Sequence, residues 1–118
     1  MEPRDLVATL QAAIDARDAE QLRSLFADGA VLVGSGAHAR DADALRAYLD
    51  AVAAGEPFHW ELDDYVTFHA EQGEIGFAAF GEVVQGDFRA PFRLTVFAVE
   101  TDAGWRIRQF HGSIPAGS

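Results

Sequence analysis

The stretch FRAPFRLTVFAVETDAGWRIRQFHGS, residues 88–113, decides the fold. From Phe88 to Val99 apolar and polar side chains alternate with a period of two, the spacing of a half-buried strand. The alternation returns after Asp102-Ala103-Gly104 and runs to Ser113, so the two runs predict an antiparallel hairpin. Glycine at the end of the turn suits a three-residue loop, a type I turn closed by a left-handed residue and a bulge. That loop sets Thr101 opposite Trp105, Val99 opposite Ile107, Phe97 opposite Gln109, Thr95 opposite His111 and Arg93 opposite Ser113. Cross-strand partners share a face. Arg93, Thr95, Phe97, Trp105, Ile107 and His111 therefore fall on one side, and Phe92, Leu94, Val96, Phe110 and Gly112 on the other. The second set is the more uniformly apolar and is expected to face inward. A four-residue loop would reverse the faces and turn His111 inward.

Upstream, the period of two begins at Phe58 and predicts strands near 58–69 and 74–84, before those at 88–99 and 105–113. Glu71-Gln72-Gly73 and Gln85-Gly86-Asp87 supply the turns, and Gly76, Gly81 and Gly86 stand where a strongly bent sheet needs them. The first half reads as helical. Pro3 suits a first helical position, and Leu6, Leu10 and Ile14 recur at helical spacing with Val7 beside them. Asp18 to Gln21 has the form of a capping box opening a short helix with Leu22, Leu25 and Phe26 on one face, ended by Asp28-Gly29. A short strand, 30–33, follows. Asp41 is placed to cap a third helix with Leu45, Tyr48, Leu49 and Val52 as its buried stripe, stopped by Gly55 and Pro57. The expected fold class is α+β: N-terminal helices packed on a strongly curved antiparallel sheet that encloses a conical pocket.

The chain as a whole agrees with this. Its 118 residues suit one domain, residues 1–118, with no linker or repeat. Nineteen acidic against nine basic side chains give a formal charge of −10, a field that repels a phosphate backbone, so nucleic acid is not an expected partner. No apolar run approaches the ~20 residues needed to span a bilayer, and the start, Met1 to Asp5, lacks the form of a signal peptide. No membrane partner is expected and the expected location is cytoplasmic. The absence of cysteine removes disulfides and thiolate chemistry, and the absence of lysine removes Schiff-base chemistry.

The ending is more particular. Arg93-Leu94-Thr95, Gly104-Trp105-Arg106-Ile107 and Phe110-His111-Gly112-Ser113-Ile114-Pro115, following helix, helix, short strand and helix, resemble the SnoaL-like branch of the nuclear transport factor 2-like (ketosteroid isomerase-like) superfamily. They are also similar to the end of the hub domain of calcium/calmodulin-dependent kinase. The resemblance covers nearly the whole chain and implies the conical fold, but this scaffold hosts many functions. The ketosteroid isomerase base corresponds to Gly34, its helix-1 tyrosine to Leu10 and its protonated aspartic acid to Val96. None of these three can give or take a proton, which argues against that isomerisation. The hub's pocket arginines correspond to Val96 and Gly81, with Gly112 after the histidine.

Other constellations are sparse. His38, His59, His69 and His111 form no i,i+4 pair, so no metal site is expected, and no cofactor. His38, in the loop after the first strand, Asp64, beside Asp63 and Glu61, and His111 are weak catalytic candidates. Asp63 and Asp64 point to opposite faces of a strand and cannot form a dyad; a bulge with solvated acids explains them equally well. Ser35 and Ser113 lack a triad pattern. The expected pocket wall is Leu10, Ile14, Tyr48, Trp60, Phe92, Leu94, Val96 and Phe110, aromatic surfaces suited to a flat apolar ligand. Arg93, Thr95, Phe97, Trp105, Ile107 and His111 are too apolar for a free surface and are the expected homodimer face. Two functional readings stand. One is a SnoaL-like protein that binds or acts on a small hydrophobic molecule without the isomerase acid/base set. The other is a non-catalytic homodimeric scaffold or accessory protein with a vestigial pocket. The sequence leaves open whether the chain is an enzyme.

Overall fold

A computed structural model describes residues 1–116. Three helices cover one face of a six-stranded sheet. Helix α1, Pro3–Asp15, starts with Pro3 in its first turn and buries Leu6, Val7, Leu10, Ala13 and Ile14. Arg17 follows in the left-handed region at φ 55°, and its guanidinium donates to the carbonyls of Ala54 and Gly55, tying the end of α1 to the end of the third helix. Helix α2, Ala19–Ser24, is capped by the Asp18 carboxylate, which accepts from the Gln21 N–H at 3.0 Å. Helix α3, Ala42–Ala54, is capped the same way by Asp41, which accepts from the Ala44 N–H at 2.8 Å. Both caps satisfy an N–H that the helix itself leaves unpaired.

Strands β1 (Phe26–Val33), β2 (His38–Ala39), β3 (His59–Glu71), β4 (Glu74–Gln85), β5 (Phe88–Thr101) and β6 (Gly104–Ser113) form a curved, open sheet in the order β2-β1-β6-β5-β4-β3. All neighbours run antiparallel except β1 and β6, which are parallel. The second helix ends earlier than the sequence suggests. Phe26 already belongs to β1, because the Leu25 carbonyl accepts from the Ile107 N–H at 2.8 Å and draws the chain into the sheet. Gly29, at φ 76°, serves an irregularity within β1 rather than a helix stop. The core lies between helices and sheet, with Phe77, Val96 and Ile107 fully buried and Leu10, Leu22 and Leu94 nearly so.

The last hairpin differs from expectation at its tip and matches it at its base. Thr101 pairs with Gly104 across a two-residue loop, and Ile107 pairs with Ala98. Arg108 then bulges out, and beyond it Gln109 faces Phe97, His111 faces Thr95 and Ser113 faces Arg93. The bulge absorbs one residue, so the faces on either side of it are exchanged relative to a regular strand. Trp105 and Ile107 therefore turn toward the helices. Ile107 has no exposed surface and Trp105 packs against the buried cluster, which removes both from the expected homodimer face. Arg93, Thr95, Phe97 and His111 remain on the outer side. Bulges at Asp63 and Phe68 interrupt β3 in the same way.

Candidate functional site

Between α1, α3 and the concave side of the sheet lies a cavity of about 400 Å³. Helix α1 contributes Leu10 and Ile14, one turn apart, and α3 contributes Tyr48, Leu49 and Val52. The sheet supplies Trp60 from β3, Val83 and Gln85 from β4, Phe88 and Phe92 from β5, and Phe110 and Gly112 from β6. Phe26, Leu32 and the segment Val33–Ala37 complete one side. Of the residues expected to form the wall, Leu10, Ile14, Tyr48, Trp60, Phe92 and Phe110 line this cavity. Leu94 and Val96 do not. They lie on the expected face but further along β5, where the helices pack directly on the sheet and leave 1% and 0% of their surface exposed.

The rings form one connected group. Trp60 stacks on Phe92 with centroids 6.1 Å apart and planes at 20°, meets Phe58 edge-on at 5.6 Å, and approaches Phe110 at 6.1 Å. Two further residues, Gln11 and Gly112, hold this group. Gln11 donates to the Phe58 carbonyl and accepts from the Trp60 N–H, both at 3.0 Å, so one amide fixes the start of β3 and the backbone that carries Trp60. Gly112 makes room, since a β-carbon there would stand 2.8 Å from Phe92 and 3.0 Å from Phe110. Spacing gives no signal for Gln11, which looks like any polar helix residue. Gly112 was legible only as a glycine on the inner face.

Polar groups in the wall are few. The Ser35 hydroxyl accepts from the Ile114 N–H at 2.9 Å, and Gln85 donates to the Glu56 carbonyl at 3.1 Å. The Tyr48 hydroxyl reaches toward Gly34, and burial pushes its pKa above the ordinary phenol value. No Asp, Glu, His, Lys or Arg stands among the described lining residues. The three weak catalytic candidates are elsewhere. His38 pairs with Val33 on the short edge strand and is exposed, although Gly36 and Ala37 just before it reach the wall. Asp64 is exposed beside the Asp63 bulge, opposite Phe80. His111 is exposed on the outer side of the sheet, opposite Thr95. The fold brings none of them to the cavity.

One group outside the cavity has the donor types for a divalent cation. His69, Glu71 and Glu74, at the β3–β4 hairpin, place ligand atoms within 4.8 Å of one another. The His69 ring nitrogen is already hydrogen-bonded to Glu74 at 3.1 Å, and the ring lies against Phe97 at 5.5 Å. Sequence reasoning looked for helical spacing and missed this hairpin arrangement. On the outer side of the sheet Arg89 binds both Glu61 and Glu82, at 2.6 and 2.8 Å, and its hydrogen bond holds the Glu61 carboxyl below the ordinary carboxylate range.

The family model of the SnoaL-like domain matches residues 4–117. The chain belongs to the SnoaL-like family. No curated protein matches this SnoaL-like chain. Solved structures similar to it include a candidate calcium/calmodulin-dependent protein kinase II association domain from Xanthomonas campestris, at TM-score 0.84 and 16% identity, covering 100% of this chain and 91% of that one. A candidate dehydratase of the nuclear transport factor 2-like family from Streptomyces avermitilis has TM-score 0.81 and 15% identity, covering 95% and 93%. A nuclear transport factor 2-like protein of unknown function from Pseudomonas putida KT2440 has TM-score 0.79 and 20% identity, covering 95% and 83%. At these identities the likeness establishes the fold.

Proposed function

We propose that this SnoaL-like protein binds a flat, apolar small molecule in the cavity between its helices and its sheet, and that any chemistry there proceeds by positioning rather than by the ketosteroid isomerase acid/base set. The observation that carries the reading is the composition of the wall: a connected group of aromatic rings with no carboxylate, imidazole or cationic side chain among the described lining residues. An apolar cavity of a few hundred cubic ångströms with few polar groups is the usual form of a small-molecule site. Gly34 and Leu10, to which the resemblance assigns the isomerase base and donor, both line the cavity and carry no group that gives or takes a proton.

Native mass spectrometry of freshly purified protein tests this directly, and a retained small molecule is the expected result. A compound recovered in this way should raise the melting temperature of the emptied protein, because selective binding to the folded state stabilises it by ~2.7 kcal/mol at a hundred times the dissociation constant. Protein that carries nothing and is stabilised by no planar aromatic compound would refute the reading.

A specific observation also favours the homodimer of the scaffold reading. Val31, Val33, Val66, Phe68 and Phe80 are exposed on the outer side of the sheet, with Phe68 at 61%. Large apolar side chains exposed on one side of a sheet favour an interface between chains. The two readings are compatible, since the proposed ligand and the proposed partner lie on opposite sides of the sheet.

A further inference from the structure

We infer that Tyr48 is the polar anchor of the cavity, donating its hydroxyl hydrogen to a carbonyl or other uncharged oxygen of the bound molecule. The inference rests on the cavity reading above and specifies the ligand further: a flat apolar body bearing one hydrogen-bond acceptor. Four side chains in the wall carry hydrogen-bonding groups, Ser35, Tyr48, Trp60 and Gln85, and the protein engages Ser35 as an acceptor and Gln85 as a donor. Ser35 accepts from the Ile114 N–H, and Gln85 donates to the Glu56 carbonyl. Among the described residues the Tyr48 hydroxyl has no hydrogen-bond partner, and it is not sealed away from the cavity. A half-buried hydroxyl at an apolar wall gains from a partner supplied by a ligand.

Gly34 keeps that hydroxyl accessible. A β-carbon at this position would stand 2.7 Å from the Tyr48 oxygen, so any other residue would crowd it. The loop that holds Gly34 is fixed at both ends, by the Gly34 N–H on the Ala37 carbonyl at 2.7 Å and by Ser35 on Ile114. Tyr48 itself is carried on α3 between Leu45 and Leu49, both buried, so the ring has a set direction. Burial also keeps the phenol protonated across the neutral range, which makes it a donor rather than a base. An anionic ligand is disfavoured, because no cationic side chain stands in the described wall to pair with it.

The test uses a matched pair of probes, 1-indanone and indane, which share a flat bicyclic skeleton and differ in one carbonyl. Binding is measured by calorimetric titration to the wild type and to Tyr48→Phe, which keeps the ring and removes the hydroxyl. Loss of one neutral hydrogen bond should weaken 1-indanone by about fivefold and leave indane unchanged. Gly34→Ala, which pushes a methyl against the hydroxyl, should weaken 1-indanone in the same selective way and serves if Tyr48→Phe does not fold. Equal effects of both variants on both probes would show a packing role only and would overturn the inference while the cavity reading stands. Failure of the wild type to bind either probe would overturn the cavity reading and this inference with it.

Discussion

Gly81 sits where the sheet bends, and replacing it with alanine tests how that bend shapes the cavity. Gly81 pairs with Leu62, the next residue, Asp63, bulges, and pairing resumes at Asp64 and Phe80. A β-carbon on Gly81 would collide with the Glu61 carbonyl oxygen and stand 2.8 Å from the Leu62 α-carbon. Carbon atoms pack best at about 3.5–4.0 Å, so β3 would have to retreat by roughly 1 Å. These obstacles are backbone atoms and cannot rotate aside. The cost belongs at the upper end of the overpacking range, about 3 kcal/mol, because ladder hydrogen bonds near the bulge weaken as the strands part. With a urea dependence of about 1.5 kcal/mol per molar, the unfolding midpoint should fall by about 2 M. Gly36→Ala is the control: nothing lies within 4 Å of its β-carbon, and its backbone is outside the left-handed region. That substitution should be neutral or stabilising by up to ~1 kcal/mol through the unfolded chain. Trp60 and Val83 reach the cavity from the strands that Gly81 holds together, so the tryptophan emission of Gly81→Ala should shift as well. A Gly81→Ala midpoint within about 0.3 M of wild type would refute the steric account of the bend.

Ile107→Ala should cost about 2–5 kcal/mol in chemical denaturation, as for a fully buried side chain, while His111→Ala should change stability by less than ~0.5 kcal/mol; the reverse order would contradict the bulge at Arg108. Phe68→Glu with Phe80→Glu should convert the proposed dimer to a monomer by size exclusion with light scattering, whereas Trp105→Glu should unfold the chain rather than dissociate it; a wild type that is already monomeric at tens of micromolar would count against the face. Because Arg89 holds the Glu61 carboxyl below its ordinary value in the folded state, its contribution is fully present above the ordinary carboxylate value and is lost as pH falls through the lowered one. The melting difference between wild type and Arg89→Gln should therefore be present near pH 7 and absent near pH 2, and a difference that persists in acid would show that the pair acts through packing.

Much of the fold was legible because its signals are short-ranged. Asp18 and Asp41 announce helices by the side chains that cap them, and the period of two between Phe58 and Ser113 needs only neighbouring residues to be read. What the sequence could not carry were the features settled by distant partners. The parallel pairing of β1 with β6 joins residues such as Leu32 and Phe110, and no local pattern marks it. The bulges at Asp63, Phe68 and Arg108 are the same kind of feature. Arg108 is an ordinary polar residue in an alternating run, and only the docking of Ile107 under the helices, together with the bond from its N–H to the Leu25 carbonyl, makes it cheaper to expel one residue than to keep a regular strand.

The same reasoning explains why the cavity was half legible. Alternation states which face a strand residue occupies, and Phe92, Leu94 and Val96 do share the inner face. It does not state how far along the strand the helices come down onto the sheet. Phe92 lies where the sheet curves away from α1 and α3, and its ring becomes cavity wall against Trp60. Leu94 and Val96, two and four residues further along, lie under the helices and become core. Depth is set by curvature, and curvature here depends on glycines and bulges acting together, as at Gly81 and Asp63. A wall residue can be told from a core residue on this sheet only once that bend is known, which is why the Gly81 substitution tests the cavity as well as the strand.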